Sequence, residues 1–178
     1  MEEIYKGYKI TIDQDEYADS PDIWENEDCF LVYDHRQFYV ERKGFDPTEI
    51  FEQLGKRKTF EGYWIFPVFA YIHSGVSLSL GKNSYPFTCP WDTSFGGFAL
   101  IKRQKGWSYK EDKAFAIAES LIEEWNQYLS GEVYYKKIEK LVDEEYKEID
   151  SCYGYYDTPD NILNETKKEI DSYETCIH

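Results

Sequence analysis

The stretch Gly62 to Ile101, GYWIFPVFAYIHSGVSLSLGKNSYPFTCPWDTSFGGFALI, decides the fold class. It holds a single acid, Asp92, in a chain that carries 35. From Tyr63 to Ile72 both alternating sets are apolar, the pattern of a strand covered on two faces. Pro67 cannot donate to a ladder, so this strand is expected to lie at an edge or to carry a bulge there. His73-Ser74-Gly75 ends it. Val76-Ser77-Leu78-Ser79-Leu80 then alternates as a half-buried strand does. Gly81 to Ser84 has turn chemistry, and Pro86 to Pro90 reads as a loop. Phe95 to Ile101 reads as a third strand, whose Gly96-Gly97 pair signals a bulge or a close backbone approach.

Outside this centre the chain is acidic. The formal net charge is −15 over 178 residues, distributed as −7 over residues 1–60, +2 over 61–108 and −10 over 109–178. Such a field repels nucleic-acid backbone and attracts basic surfaces, so direct nucleic-acid binding is disfavoured and a basic protein partner is favoured. Length favours a single domain, residues 1–178. Aromatics make up 19%, enough with the aliphatics for a sizeable core. No apolar run reaches the ~18 residues of a membrane span, and Met1-Glu2-Glu3-Ile4 has no signal-peptide character. Cys29, Cys89, Cys152 and Cys176 are dispersed, with no CxxC pair, and read as reduced thiols in a cytoplasmic setting.

Working outward, Tyr8 to Ile12 is a strand. Asp13 to Asp28 carries eight acids and no base: a solvated loop or an acidic contact surface. Asp13 and Asp15 have calcium-loop spacing, but the glycine and terminal glutamate of an EF-hand are missing. Cys29 to Val40 is strand, interrupted at His35-Arg36. Asp46-Pro47-Thr48-Glu49 starts a helix over 47–54. Lys56-Arg57-Lys58 follows its C-terminus, where the helix dipole accommodates it. A longer helix over 109–129, capped by Ser108 and Glu111, carries a stripe of Ala114, Ala118, Leu121, Ile122, Trp125, Tyr128 and Leu129. Strands at 133–138 and 149–156 form a hairpin across an acidic connection containing Asp143, Glu144, Glu145 and Glu148. Thr158-Pro159-Asp160 opens a final helix with Ile162, Leu163, Thr166, Ile170 and Tyr173 along one face, placed at the periphery (157–178). Asn164-Glu165-Thr166 matches a glycosylation sequon that a cytoplasmic chain would not use. The fold class is therefore α+β: one antiparallel, aromatic-rich sheet with a long amphipathic helix packed on it and short flanking helices.

Candidate chemistry is sparse. Cys89, His73 and Asp92 supply a thiol, an imidazole and a carboxylate, the elements of a nucleophile, base and orienter. Asp150 and Cys152 are a second set. Neither cysteine opens a convincing helix, where a dipole would lower a thiol pKa. The dispersed histidines, His35, His73 and His178, offer no chelating spacing, and no phosphate-binding glycine motif occurs, so no metal or cofactor is expected.

The ordered blocks His73-Ser74-Gly75, Cys89-Pro90-Trp91-Asp92, Gly97-Phe98, Tyr128-Leu129-Ser130-Gly131-Glu132-Val133-Tyr134 and Asp150-Ser151-Cys152-Tyr153-Gly154-Tyr155-Tyr156 resemble a family of small, uncharacterised bacteriophage and prophage proteins, over about residues 24–156. That family has no assigned reaction, so no catalytic residue is implied. The long acidic start and the helix after Asp157 depart from its pattern. The resemblance implies an accessory phage protein in the host cytoplasm. Acidic proteins of that origin frequently inhibit host defence enzymes, of the anti-restriction or anti-CRISPR type, by mimicking nucleic acid. Three functions follow as expectations. The first is a non-enzymatic interaction protein that presents Asp13, Asp15, Glu16, Asp19, Glu144 and Glu145 to the basic surface of a host protein. The second is a cysteine-dependent hydrolase or transferase using Cys89 with His73 and Asp92. The third is a virion structural or morphogenesis protein.

Overall fold

A computed structural model describes residues 1–54, 58–81, 93–104 and 111–175. Runs of strands are separated by helices in an α+β arrangement with antiparallel pairing throughout. Length alone favours one domain; the contacts divide the chain into two compact units, Met1–Asp19 with Gly131–His178, and Ser20–Ser130. The single sheet expected from the sequence is two sheets, one in each unit. Periodicity identifies strands without identifying their partners, and here the N-terminal strands pair with the C-terminal hairpin rather than with the centre.

In the Ser20–Ser130 unit the strands are β3 (Cys29–His35), β4 (Phe38–Val40), β5 (Thr59–Phe60), β6 (Tyr63–Ile72), β7 (Val76–Leu80) and β8 (Thr93–Lys102). They order as β4-β3-β8-β6-β5, with β7 also pairing β6. The two-sided apolar pattern of β6 has its cause in two cores. Phe66, Val68 and Ala70 point to one face with Leu31, Tyr33, Ala99 and Ile101. Helix α2 (Glu111–Ser130) covers that face with Ala114, Phe115, Ala118, Leu121, Ile122 and Trp125. Ile65 points to the other face with Phe30, Val32, Phe98 and Leu100, closed by Ile50 of helix α1 (Pro47–Leu54) and by Phe45, Phe60 and Tyr63. The α1 start is as the sequence predicts: Asp46 accepts from the backbone N–H of Thr48 at 2.7 Å and of Glu49 at 3.3 Å. The buried side of α2 adds Phe115 to the expected stripe. Its predicted cap, Ser108, lies outside the described residues, as do Lys56 and Arg57 of the basic cluster and the turn and loop expected at 82–90.

Pro67 sits in the interior of the sheet, and its missing N–H faces the edge of β6 left between β5 and β7, where its carbonyl accepts from Gly81 N–H at 2.8 Å. The register shift comes one residue later, between Val68 and Phe69, and leaves Gly96 as the extra residue of β8. Both glycine expectations are met at this point. Tyr33 lies opposite Gly97, fully buried, with its ring across Gly96-Gly97 and its hydroxyl donating to the Ser94 carbonyl at 2.9 Å. A Cβ on Gly97 would stand 2.2 Å from the Val32 carbonyl oxygen and 2.5 Å from the Tyr33 ring.

The outer edge of β7 is closed by a side chain. Asn126 of α2 accepts from Leu78 N–H through Oδ1 at 2.7 Å and donates through Nδ2 to Leu78 C=O at 3.0 Å.

The other unit is built from β1 (Glu2–Tyr5), β2 (Tyr8–Gln14), β9 (Tyr134–Val142) and β10 (Glu145–Tyr155), in the order β1-β2-β9-β10. β1, two acids in four residues, was not legible as a strand; a Lys6-Gly7 turn with positive φ at both positions folds it back on β2. The acidic connection expected over 139–148 is strand almost to its middle. Only Asp143 and Glu144, both at positive φ, form the turn, and Glu145 already pairs with Val142. Helix α3 (Pro159–Thr175) is not peripheral: Ile162, Leu163 and Ile170 are buried with Tyr8, Ile10, Ile12 and Ile138. Thr166 is buried and bonds back to the Ile162 carbonyl, whereas Tyr173, expected on the same face, is exposed.

Phe98 is buried, and Trp91 lies outside the described residues. Gly97→Ala should lower stability by at least about 2 kcal/mol, because backbone must move to admit the methyl. Gly75→Ala, with nothing within 4 Å of the added carbon, should be nearly neutral. Thermal melts of the two variants check this, and equal melting temperatures would contradict it.

Candidate interaction surface

The sheet of the Met1–Asp19 and Gly131–His178 unit has one face under α3. Alternation along β9 sends Tyr134, Lys136 and Ile138 toward α3 and Tyr135, Lys137 and Glu139 to the opposite face. The α3 side holds one buried cation. Lys136 is 5% exposed and pairs with Glu169. Its ammonium lies 5.7 Å from the Tyr155 ring centroid. Burial works against the Lys136 charge, but Glu169 and Tyr155 outweigh it and hold its pKa above the usual lysine value. Burial, with Cys152 beside it, pushes the Tyr155 hydroxyl up to about 12. Glu169 is itself largely open to solvent, but removing it would leave the buried Lys136 charge without its partner, which is costly.

The expected acids are on this unit, and the sheet separates them. Asp13, the penultimate residue of β2, lies opposite Tyr135, and Asp15, Glu16 and Asp19 follow the strand. Glu144 and Glu145 lie at the far end of β9, about 23 Å away at ~3.3 Å per residue. Asp13, Glu16, Asp19, Glu144 and Glu145 are exposed and Asp15 is half-buried. Asp15 ties two segments together: its carboxylate accepts from Tyr17 N–H at 3.2 Å and from Gly154 N–H at 3.1 Å. Tyr156 anchors the same loop by donating to the Asp19 carbonyl at 3.0 Å. None of the six makes an ion pair among the described residues. The unit carries 19 acids against 8 bases, net −11 of the total −15. Lys6, Lys9, Lys136, Lys137 and Lys167 are each engaged with a carboxylate inside it.

The thiol candidates fare differently. His73 is exposed at the β6–β7 turn, its ring stacked 6.4 Å from Tyr71. Cys89 and Asp92 lie outside the described residues. Cys152 faces Lys136 across β9–β10 and is exposed; Asp150, facing Ile138, is half-buried. Burial pushes the Cys29 thiol up to about 12, with Glu124 and Asp28 adding to it. Among the described residues no group of three or more His, Cys, Asp or Glu side chains is placed to hold a metal ion, and no helix is long and apolar enough to cross a membrane.

Sequence reasoning missed Tyr17 and Tyr153. Tyr17 is 91% exposed, and Tyr153 is 64% exposed and stacked on Tyr135 at 5.3 Å. Isolated tyrosines among seventeen carry no signal; their placement comes from the Asp15–Gly154 link, 139 residues apart in sequence. Compared with known proteins, the chain matches no described family, no curated protein and no solved structure.

Two outcomes follow from the pKa directions. Iodoacetamide at pH 8 should label Cys152 in the native protein and spare Cys29, whose thiolate fraction there is about 10⁻⁴; peptide mapping that finds Cys29 labelled as fast as Cys152 would contradict it. Lys136 and Tyr155 both bind protons more tightly folded than unfolded, so their contribution is complete below pH ~10 and is lost as pH rises toward 12. Tyr155→Phe should therefore make the loss of stability between pH 10 and 12 shallower in alkaline melts.

Proposed function

We propose that this is a non-enzymatic interaction protein whose acidic unit docks on the basic surface of another protein, in the manner of a phage counter-defence inhibitor that occupies a nucleic-acid groove. The observation that carries this reading is the concentration of net charge −11 on one compact unit, with the six singled-out acids free of ion pairs among the described residues. Solubility alone does not require acids to cluster so unevenly. The two acidic ends of β9 lie at a separation that a run of backbone phosphates would span. The resemblance of the ordered blocks to phage and prophage proteins supports a bacterial host as the setting.

Charges at the rim of such a contact set the association rate, and salt screens them beyond ~8 Å at physiological ionic strength. The protein should inhibit a DNA-cleaving defence nuclease in competition with DNA, more weakly as salt rises, and should not itself shift free double-stranded DNA on a gel. Changing Asp13, Glu16, Asp19 and Glu144 to Lys should slow association about tenfold or more while leaving the melting temperature nearly unchanged. A charge-reversed variant with full inhibitory activity, or tight salt-sensitive binding of the wild type to free DNA, would refute the reading.

A further inference from the structure

The acidic end of this unit is also aromatic. Asp13, Tyr135 and Tyr153 follow one another across β2, β9 and β10 on the face opposite α3. The Asp15 carboxylate pins the loop bearing Tyr17 to Gly154, the residue next to Tyr153. Gly154 has φ +74, a conformation that suits the bulge where the β9–β10 register slips between Cys152 and Tyr155. Tyr153 is thus held next to the acidic loop that carries Tyr17.

Elsewhere in the same unit, tyrosine rings already carry cations. Lys140 lies 5.0 Å from the Tyr8 centroid, Lys136 lies 5.7 Å from Tyr155, and Lys6 and Lys167 each lie 5.7 Å from Tyr5. Tyr17, Tyr135 and Tyr153 have no such cation among the described residues; the charged neighbours of Tyr17 in sequence, Asp13, Asp15, Glu16 and Asp19, are all negative, and Lys137, on the Tyr135 face, is paired with Glu139. An exposed aromatic face flanked by unpaired carboxylates complements one side chain above others. A guanidinium lies flat on a ring and donates in its own plane to carboxylates, whereas an ammonium is a compact, strongly hydrated point charge.

We infer that the Tyr17/Tyr153 face, with Asp13, Glu16 and Asp19 around it, is an arginine-recognising contact for an arginine-rich protein segment. This rests on the acidic-surface reading above and deepens it by naming the partner's side chain. Exposed tyrosines supply contact area at low entropic cost, and arginine and tyrosine dominate the energetic centres of protein interfaces.

The probe is a pair of capped peptides, octa-arginine and octa-lysine, titrated calorimetrically into the full chain at moderate salt. Octa-arginine should bind about fivefold or more tightly than octa-lysine. Changing Tyr17 and Tyr153 together to Ala should bring octa-arginine down to the octa-lysine affinity and leave octa-lysine within twofold of its wild-type value. Both rings are exposed, so the melting temperature should hold; Tyr17→Ala alone, at the more exposed position, should remove part of the preference. Equal affinity of the wild type for the two peptides overturns the inference, as does a double variant that keeps the full preference. Two other results overturn the acidic-surface reading itself: no binding of either peptide, or unchanged octa-lysine binding after Asp13→Lys with Glu16→Lys.

Discussion

The larger unit depends on one close approach. Tyr33 is fully buried across Gly96 and Gly97, where any side chain on β8 would meet the Val32 carbonyl or the tyrosine ring. That contact brings β3 to β8, and the bulge beside it takes up the mismatch between β6 and β8. Burial deprives the tyrosine hydroxyl of water, so the Ser94 carbonyl must satisfy it. Burial also raises the Tyr33 pKa, countered in part by the Ser94 side-chain hydroxyl 3.1 Å away. The remaining strands then present one face to α2 and the other to α1, so β6 is apolar on both sides.

Much of this unit was legible because the controlling signals are local. Asp46-Pro47 announces α1, the three- and four-residue spacing from Ala114 announces α2, and the double glycine announces a tight passage. The second unit was harder to read. Its sheet joins β2 to β9, whose residues are more than a hundred positions apart, and no periodicity encodes that choice. β1 was hidden by its two glutamates, which lie on a solvated edge where strand propensity matters little. Acids also disguised the end of the β9–β10 hairpin. The turn there uses Asp143-Glu144 instead of the Asn-Gly that such a conformation favours.

The candidate surface was half legible. Charge runs are visible in sequence, but a run does not say which acids share an end of a sheet. The structure groups Asp13, Asp15, Glu16 and Asp19 and sets Glu144 and Glu145 at the opposite end. It also shows that the acids are not equivalent: Asp15 is committed to two backbone N–H groups and shapes the loop, while its neighbours remain open to solvent.

The grip of Asn126 on Leu78 has a consequence for how the protein fails. Among the described residues β7 pairs with β6 alone, and on its other side a primary amide from α2 takes up the N–H and C=O of Leu78. An edge whose N–H and C=O are both occupied is a poor template for another chain. The helix therefore serves as a guard as well as a packing element. A fluctuation that lifts the last turns of α2 uncovers, in the same movement, the apolar stripe at Leu121, Ile122 and Trp125 and an alternating strand with an open edge. Partial unfolding at this corner would lead toward strand-to-strand self-association before the rest of the sheet had come apart.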